Sequence, residues 1–236
     1  MATIVQSRSG LFGPDYYERG VEAGVSLYEN YRWLGETTVA LAARMVEHLA
    51  LPTGARVLDY GCAKGYLVRA LRELHYPAWG VDISEYAIQE VDPAVRSFCF
   101  RMVHDTLAES SVDVSDAPPD RREALRSFDA AIAKDVLEHV PYADLGRVLR
   151  GLACARRLFV VVPLGANGRY VVPDYERDVT HEIREPLEWW MRRLEESGWR
   201  IADARYHVPG IKESWSHFPR GNGFVVCHRQ EQEGSL

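Results

Sequence analysis

Residues able to do chemistry concentrate in five stretches of the chain. RVLDYGCAKGYLVRAL (56–71) sets Asp59, Gly61, Ala63 and Gly65 at alternate positions. Small residues at that spacing let a ligand approach the backbone closely, as a nucleotide-binding turn requires. GVDIS (80–84) puts Asp82 21 positions after Gly61, where a carboxylate can accept hydrogen bonds from both vicinal hydroxyls of a ribose. HDTL (104–107) carries Asp105 and Thr106, a pair that also suits an ordinary turn. FDAAIAKDVLEHV (128–140) carries Lys134, Asp135 and His139, and DVTHEIREPLEWW (178–190) carries Asp178 and His181. A histidine that titrates near neutrality is the natural general base among these.

Two common phosphate-binding patterns do not fit. A dinucleotide fingerprint starting at Gly61 needs glycines at 63 and 66, where the chain has Ala63 and Tyr66. A tyrosine is a poor neighbour for a pyrophosphate that must lie against the backbone. The P-loop pattern is absent as well.

The elements that must position these residues alternate between strand and helix. Strands are expected at 55–61, 78–83, 97–103, 128–135 and 157–163, the last a continuous apolar run suited to the centre of a doubly covered sheet. Thr38, Leu41, Ala42, Met45 and Leu49 follow helical spacing before LPTG (51–54) breaks the pattern. Leu67, Ala70, Leu71 and Leu74 form an apolar stripe after the first strand, and Leu145, Val148, Leu149 and Leu152 form another after the fourth. Ser84 suits a helix cap. Residues 108–127 are polar and proline-bearing, hence a loop with a short surface helix, and 164–185 lack periodicity and read as a long connection. Pro186 opens a helix carrying Leu187, Trp190, Met191 and Leu194 on one face, with Gly198 ending it. Residues 200–208 and 223–229 then close the domain as an antiparallel pair. Such alternation implies a mostly parallel sheet whose ligand lies at the carboxyl ends of the strands.

Bulk composition narrows the function. The chain has 236 residues, a formal net charge of −6, 47% hydrophobic and 26% charged residues. No clustered basic footprint for nucleic acid is present. Cys62, Cys99, Cys154 and Cys227 are far apart, which suits free thiols in a reducing compartment; Cys62 reads as a packing residue. The longest apolar run, LFVVVPLGA (158–166), is too short to span a bilayer. No leader pattern opens the chain, and a cytoplasmic location is expected.

Taken together, Asp59-Gly61-Ala63-Gly65, GVDIS, HDTL and FDAAIAKDVLEHV resemble the motifs of class I S-adenosylmethionine-dependent methyltransferases, over roughly residues 51–229. Ala63 departs from the usual glycine. The resemblance implies a doubly wound, Rossmann-like α/β sheet of seven strands, mostly parallel with an antiparallel C-terminal hairpin. It implies a helical cap or lid over 1–50, a core over 51–230 with an acceptor-side insertion at 164–185, and a loose tail at 231–236. S-adenosylmethionine would be the cofactor and S-adenosylhomocysteine the product. Asp59 orients the turn or touches the cofactor; Asp82 holds the ribose; Ile83 lies beside the adenine, with Asp105 and Thr106 able to meet its amine. Lys134 and Asp135 fall beside the methionine moiety. Arg32 is the candidate clamp for the methionyl carboxylate, with Tyr17 or Tyr31 in the lid.

His181, oriented by Asp178, and His139 are the candidate bases, although the Glu-His pair at 138–139 also suits a scaffold role. Trp189 falls off its helix's core stripe and is a candidate pocket residue. Glu138, His139, Asp178 and His181 are too dispersed along the chain to argue for a cation, and no metal is expected. The Asn/Asp-Pro-Pro-aromatic signature of amino-methylating enzymes acting on DNA bases, the Pro-Cys nucleophile of cytosine methylation and a double-Glu loop are all missing. Those absences, with the acidic charge, favour a small-molecule acceptor: a sugar, a glycan end or a secondary metabolite. Two rival readings stand beside this one: a non-catalytic adenosylmethionine-binding partner subunit, and a nicotinamide oxidoreductase.

Overall fold

The structure, a computed structural model, describes residues 8–102 and 125–230. Its main sheet has seven strands: β1 (Val57–Tyr60), β2 (Ala78–Asp82), β3 (Cys99–Arg101), β4 (Phe128–Lys134), β5 (Ala155–Pro163), β8 (Trp199–Arg205) and β9 (Asn222–Arg229). A separate two-stranded hairpin, β6 (Gly165–Ala166) and β7 (Arg169–Tyr170), follows β5. The order across the main sheet is β3-β2-β1-β4-β5-β9-β8. The first five run parallel, and β9 is antiparallel to both β5 and β8. The order reverses between β1 and β4, which opens a crevice at their carboxyl ends.

Strict alternation along the strands feeds two cores. Leu58, Ala131, Leu158, Val160 and Val162 face helices Tyr142–Gly151 and Leu187–Glu196, whose Leu145, Val148, Leu149, Trp190 and Leu194 are fully buried. Val57, Ala130, Ile132, Phe159 and Val161 face the other way, onto Ala42, Met45, Val68 and Leu71 of helices Gly35–His48 and Tyr66–Glu73. Side chains that alternate with a period of two supply both layers from one run of sequence. Ser84 caps helix Glu85–Gln89 as expected, its side chain accepting from the Ala87 N–H at 2.9 Å.

Two local expectations need correction. The stretch 164–185 is not an unstructured connection. Asn167 and Gly168, at φ 54° and 75°, make the two-residue turn of the β6–β7 hairpin, and Pro173–Arg177 forms a 3-10 turn. An Asn-Gly pair is the strongest short hairpin signal, but two-residue strands carry no periodicity. Within the described part of 97–103, Cys99–Arg101 form a three-residue β3 preceded by a 3-10 turn at Arg96–Phe98. The expected surface helix within 108–127 and the tail 231–236 lie largely or wholly outside the described residues.

Candidate functional site

The crevice begins at the turn between β1 and helix Tyr66–Glu73. Gly61, Ala63 and Gly65 all adopt left-handed backbone, at φ 81°, 47° and 76°. A Cβ at Gly61 would meet the Val136 side chain at 2.4 Å, and one at Gly65 would meet the Cys99 sulfur at 2.8 Å. Ala63 holds its conformation against the usual Cβ penalty and packs against the buried rings of Phe12, Tyr16 and Tyr17. Asp82 fastens the turn. Asp82 Oδ2 accepts from the Ala63 N–H at 2.8 Å and Oδ1 from the Ser84 N–H at 2.7 Å. Burial raises the Asp82 pKa while those backbone donors oppose the rise. Asp59 lies beneath the turn and outside the cavity lining; burial first, and then the Asp82 charge, push its carboxyl up to about 7.

Residues 8–34 cross the mouth of this crevice. The Ser84 hydroxyl donates to the Phe12 carbonyl at 2.6 Å, and Lys64, itself buried, donates to Glu18 and to the Tyr31 carbonyl. At the opposite end Tyr16 donates its hydroxyl to Asp178 Oδ2 at 3.0 Å, and Arg8 donates to Glu182 and to the His139 carbonyl. The segment therefore ties the turn to the 173–183 region. Between them lies a cavity. Phe12, Tyr17, Asp82, Ile83 and His139 are among its walls.

The far end of the cavity carries an ordered polar chain. His139 Nδ1 and Thr180 Oγ1 are 2.8 Å apart, and the Thr180 hydroxyl donates to Asp178 Oδ1 at 2.6 Å. The Thr180 N–H reaches the same Asp178 oxygen at 2.9 Å. Because the threonine proton is committed to the carboxylate, His139 donates from Nδ1 and presents its Nε2 lone pair. Burial and the adjacent His181 hold the His139 pKa down at about 4. His181 is also lowered by burial; its Nδ1 faces the Tyr175 carbonyl at 2.9 Å, and it does not line the cavity. Glu138 is 1% exposed, and burial followed by the Asp135 charge raises its carboxyl to about 8.

Several sequence candidates fall elsewhere. Arg32 is exposed, donates to the Asn30 carbonyl at 3.3 Å and does not line the cavity. Tyr31 and Trp33 pack onto Tyr66, with ring centroids 5.2 and 6.0 Å away, while Arg32 is exposed. The arginine that does line the cavity is Arg8. Tyr31 packs beside Tyr17 rather than on the wall. Trp189 stacks edge-on against Tyr142 at 5.6 Å, away from the cavity. Asp135 does line it, at φ 53°, but is clasped by Lys134 and Lys212, which hold its carboxyl below the usual range against the effect of burial. Lys134 is thereby occupied with Asp135. Asp105 and Thr106 lie outside the described residues.

Sequence reasoning missed Arg8, Thr180 and Lys212. Thr180 had a local signal, because an Asp two residues before a Thr makes an Asx turn; Arg8 and Lys212 had none, being brought in by tertiary folding.

A family model described as a methyltransferase domain matches residues 33–206. No curated protein matched the sequence. Among solved structures, the chain is similar to magnesium protoporphyrin IX methyltransferase from Synechocystis PCC 6803 with bound SAM. The TM-score is 0.56 and the identity 17%, over 97% of this chain and 100% of that one. It is similar to Burkholderia thailandensis 1,6-didemethyltoxoflavin-N1-methyltransferase bound to its namesake ligand and S-adenosylhomocysteine. There the TM-score is 0.54 and the identity 17%, over 83% and 79% of the two chains. It is also similar to the [4+2]-cyclase SpnF, with a TM-score of 0.55 and 13% identity over 95% and 93%. Likenesses at this identity establish the fold, and a shared fold hosts more than one reaction.

Proposed function

The chain belongs to the methyltransferase-domain family, and we propose that it uses S-adenosylmethionine to methylate a small-molecule acceptor. The observation that carries this reading is the position of Asp82. Its carboxylate lines the cavity, one strand beyond a turn of three left-handed residues. Asp82 accepts from the backbone N–H groups of Ala63, Ser84 and Ile83, and a carboxylate's further lone pairs can also accept from ribose hydroxyls. Ile83 offers an apolar edge to a base, and Tyr17 and Phe12 exclude water from above.

When bound, the cofactor supplies an electrophilic methyl group on a sulfonium. The chain's own contribution is placement and proton handling. His139, with Nδ1 committed to Thr180, offers Nε2 to an acceptor's proton, and Asp178 fixes the imidazole's tautomer through Thr180. The neighbouring enzymes with a named acceptor, toxoflavin precursor and magnesium protoporphyrin, act on small molecules. Together with the acidic net charge, this favours the same class of acceptor here.

S-adenosylhomocysteine at about 100 times its Kd is expected to stabilise the protein by about 2.7 kcal/mol, seen as a rise of roughly 5–10 °C in thermal midpoint. Asp82→Ala should remove the rise. A midpoint indifferent to both S-adenosylmethionine and S-adenosylhomocysteine at millimolar supply would overturn the reading.

A further inference from the structure

We infer that Glu138, His139 and His181 form a binding site for one divalent first-row transition cation at the acceptor end of the cavity. The ligand atoms of these three side chains lie within 4.8 Å of one another, and the two imidazole centroids are 4.7 Å apart. Glu138 is 1% exposed and its Oε2 has no hydrogen-bond partner. A buried carboxylate oxygen left unpaired is costly unless something charged comes to meet it.

Both imidazoles are prepared in the manner of metal ligands. Metal-binding histidines nearly always donate their second ring N–H to an oxygen, which aims the remaining lone pair. His139 does so through Thr180, backed by Asp178, and His181 through the Tyr175 carbonyl. Each imidazole thereby keeps its Nε2 lone pair, that of His181 lying 3.8 Å from Asp178 Oδ2, and Glu138 Oε2 has no hydrogen-bond partner. The neighbouring acids are otherwise engaged: Asp178 accepts from Thr180 and from Tyr16, and Asp135 is clasped by two lysines. Bonds of 2.0–2.2 Å require the three ligand atoms to draw in by about 1 Å, a movement within reach of a glutamate side-chain torsion.

Two imidazoles with one carboxylate suit Zn²⁺, Mn²⁺ or Fe²⁺ and not Mg²⁺, which prefers oxygen donors throughout. Three protein ligands leave positions open, and His139 borders the cavity. The consequence, which rests on the methyltransferase reading, is the nature of the acceptor: a hydroxyl able to coordinate the cation. Coordination lowers the pKa of a bound hydroxyl, so its proton passes to solvent water. The oxygen lone pair then forms the new O–CH₃ bond, and the breaking C–S bond leaves its pair on sulfur. With the cation bound, His139 serves as a ligand; without it, the same Nε2 remains the base described above.

The test is titration of the full chain, stripped with chelator, by isothermal calorimetry with ZnCl₂, MnCl₂ and MgCl₂. One equivalent of Zn²⁺ or Mn²⁺ should bind, with Mg²⁺ at least about 100-fold weaker. His181→Gln should abolish binding, and Thr180→Val should weaken it about 10- to 100-fold. The S-adenosylhomocysteine thermal shift, measured on each variant, reports a folded protein independently of the cation. No stoichiometric binding by the wild type, or binding unmoved in a His181→Gln protein that still responds to S-adenosylhomocysteine, overturns the cation site and returns His139 to the role of base. Cation binding in a chain that ignores S-adenosylhomocysteine keeps the site and removes only its catalytic consequence.

Discussion

Gly61, Ala63 and Gly65 share a left-handed backbone but carry different constraints. Ala63 packs against the buried cluster of Phe12, Tyr16, Tyr17 and Ala87, so its methyl group is accommodated within the turn. At Gly61 there is no such room, because Val136 from the β4 exit stands 2.4 Å from the position of a Cβ. Gly61→Ala therefore combines a φ penalty with overpacking. It should destabilise the fold by about 2 kcal/mol or more, read as a lower chemical-denaturation midpoint. A variant as stable as the wild type would mean that Val136 moves aside freely. At this scale Asp59 and Asp82 also separate. They are the same residue type, yet only Asp82 ends its strand where backbone N–H groups converge.

The element that decides access is the segment 8–34, with its short helices Pro14–Glu18 and Gly20–Ala23. These helices are too short to persist alone, so their position depends on tertiary anchors at both ends of the cavity. Tyr16–Asp178 is the anchor on the acceptor side, with both partners buried. Tyr16→Phe leaves Asp178 Oδ2 without its hydroxyl donor, at a cost of about 1–3 kcal/mol. The expected result is a drop of roughly 2–10 °C in thermal midpoint, together with faster amide exchange across residues 8–34. Unchanged exchange there would show that the Ser84 and Lys64 contacts suffice by themselves. The β6–β7 hairpin supports the same end of the cavity from the other side: the Tyr170 hydroxyl donates to the Ile183 carbonyl at 2.8 Å, two residues past His181.

On the scale of the whole molecule, Asp59 sits in the interior strand β1 between two apolar layers, 4% exposed. Its carboxyl is pushed up to about 7 in the folded chain from an ordinary value of 3.8. The folded state thus holds this proton more tightly than the unfolded state. The group favours folding below about pH 4, and its contribution is lost as the pH rises through about 7. Asp59→Asn, isosteric and uncharged, should make the protein more stable at pH 8 by at least about 1 kcal/mol, or 2–4 °C in midpoint, with little change at pH 4. Equal pH slopes for wild type and variant would show that Asp59 remains ionised when buried. The four cysteines, all buried free thiols, belong to the same layered core.

Most of the architecture was legible because the signals that specify it are local. Alternating and continuous apolar runs marked the strands, the Leu187–Trp190–Leu194 stripe marked the last helix, and Ser84 announced its cap. The turn at Gly61–Gly65 and the carboxylate at Asp82 were readable for the same reason: one strand, one turn and one crossover set their spacing. What no local pattern contained was convergence. Arg8, and not Arg32, lines the cavity, tied there by contacts to Glu182 and the His139 carbonyl from distant parts of the chain. Lys212 reached Asp135 from a loop between β8 and β9. Glu138 and His139 met His181 because the β4 exit and the 173–183 turn are clamped together by the Glu182 and Ile183 N–H groups on the Glu138 carbonyl. Periodicity along a chain states which face of an element is apolar; only packing of distant elements against one sheet edge determines which polar side chains share the space left between them.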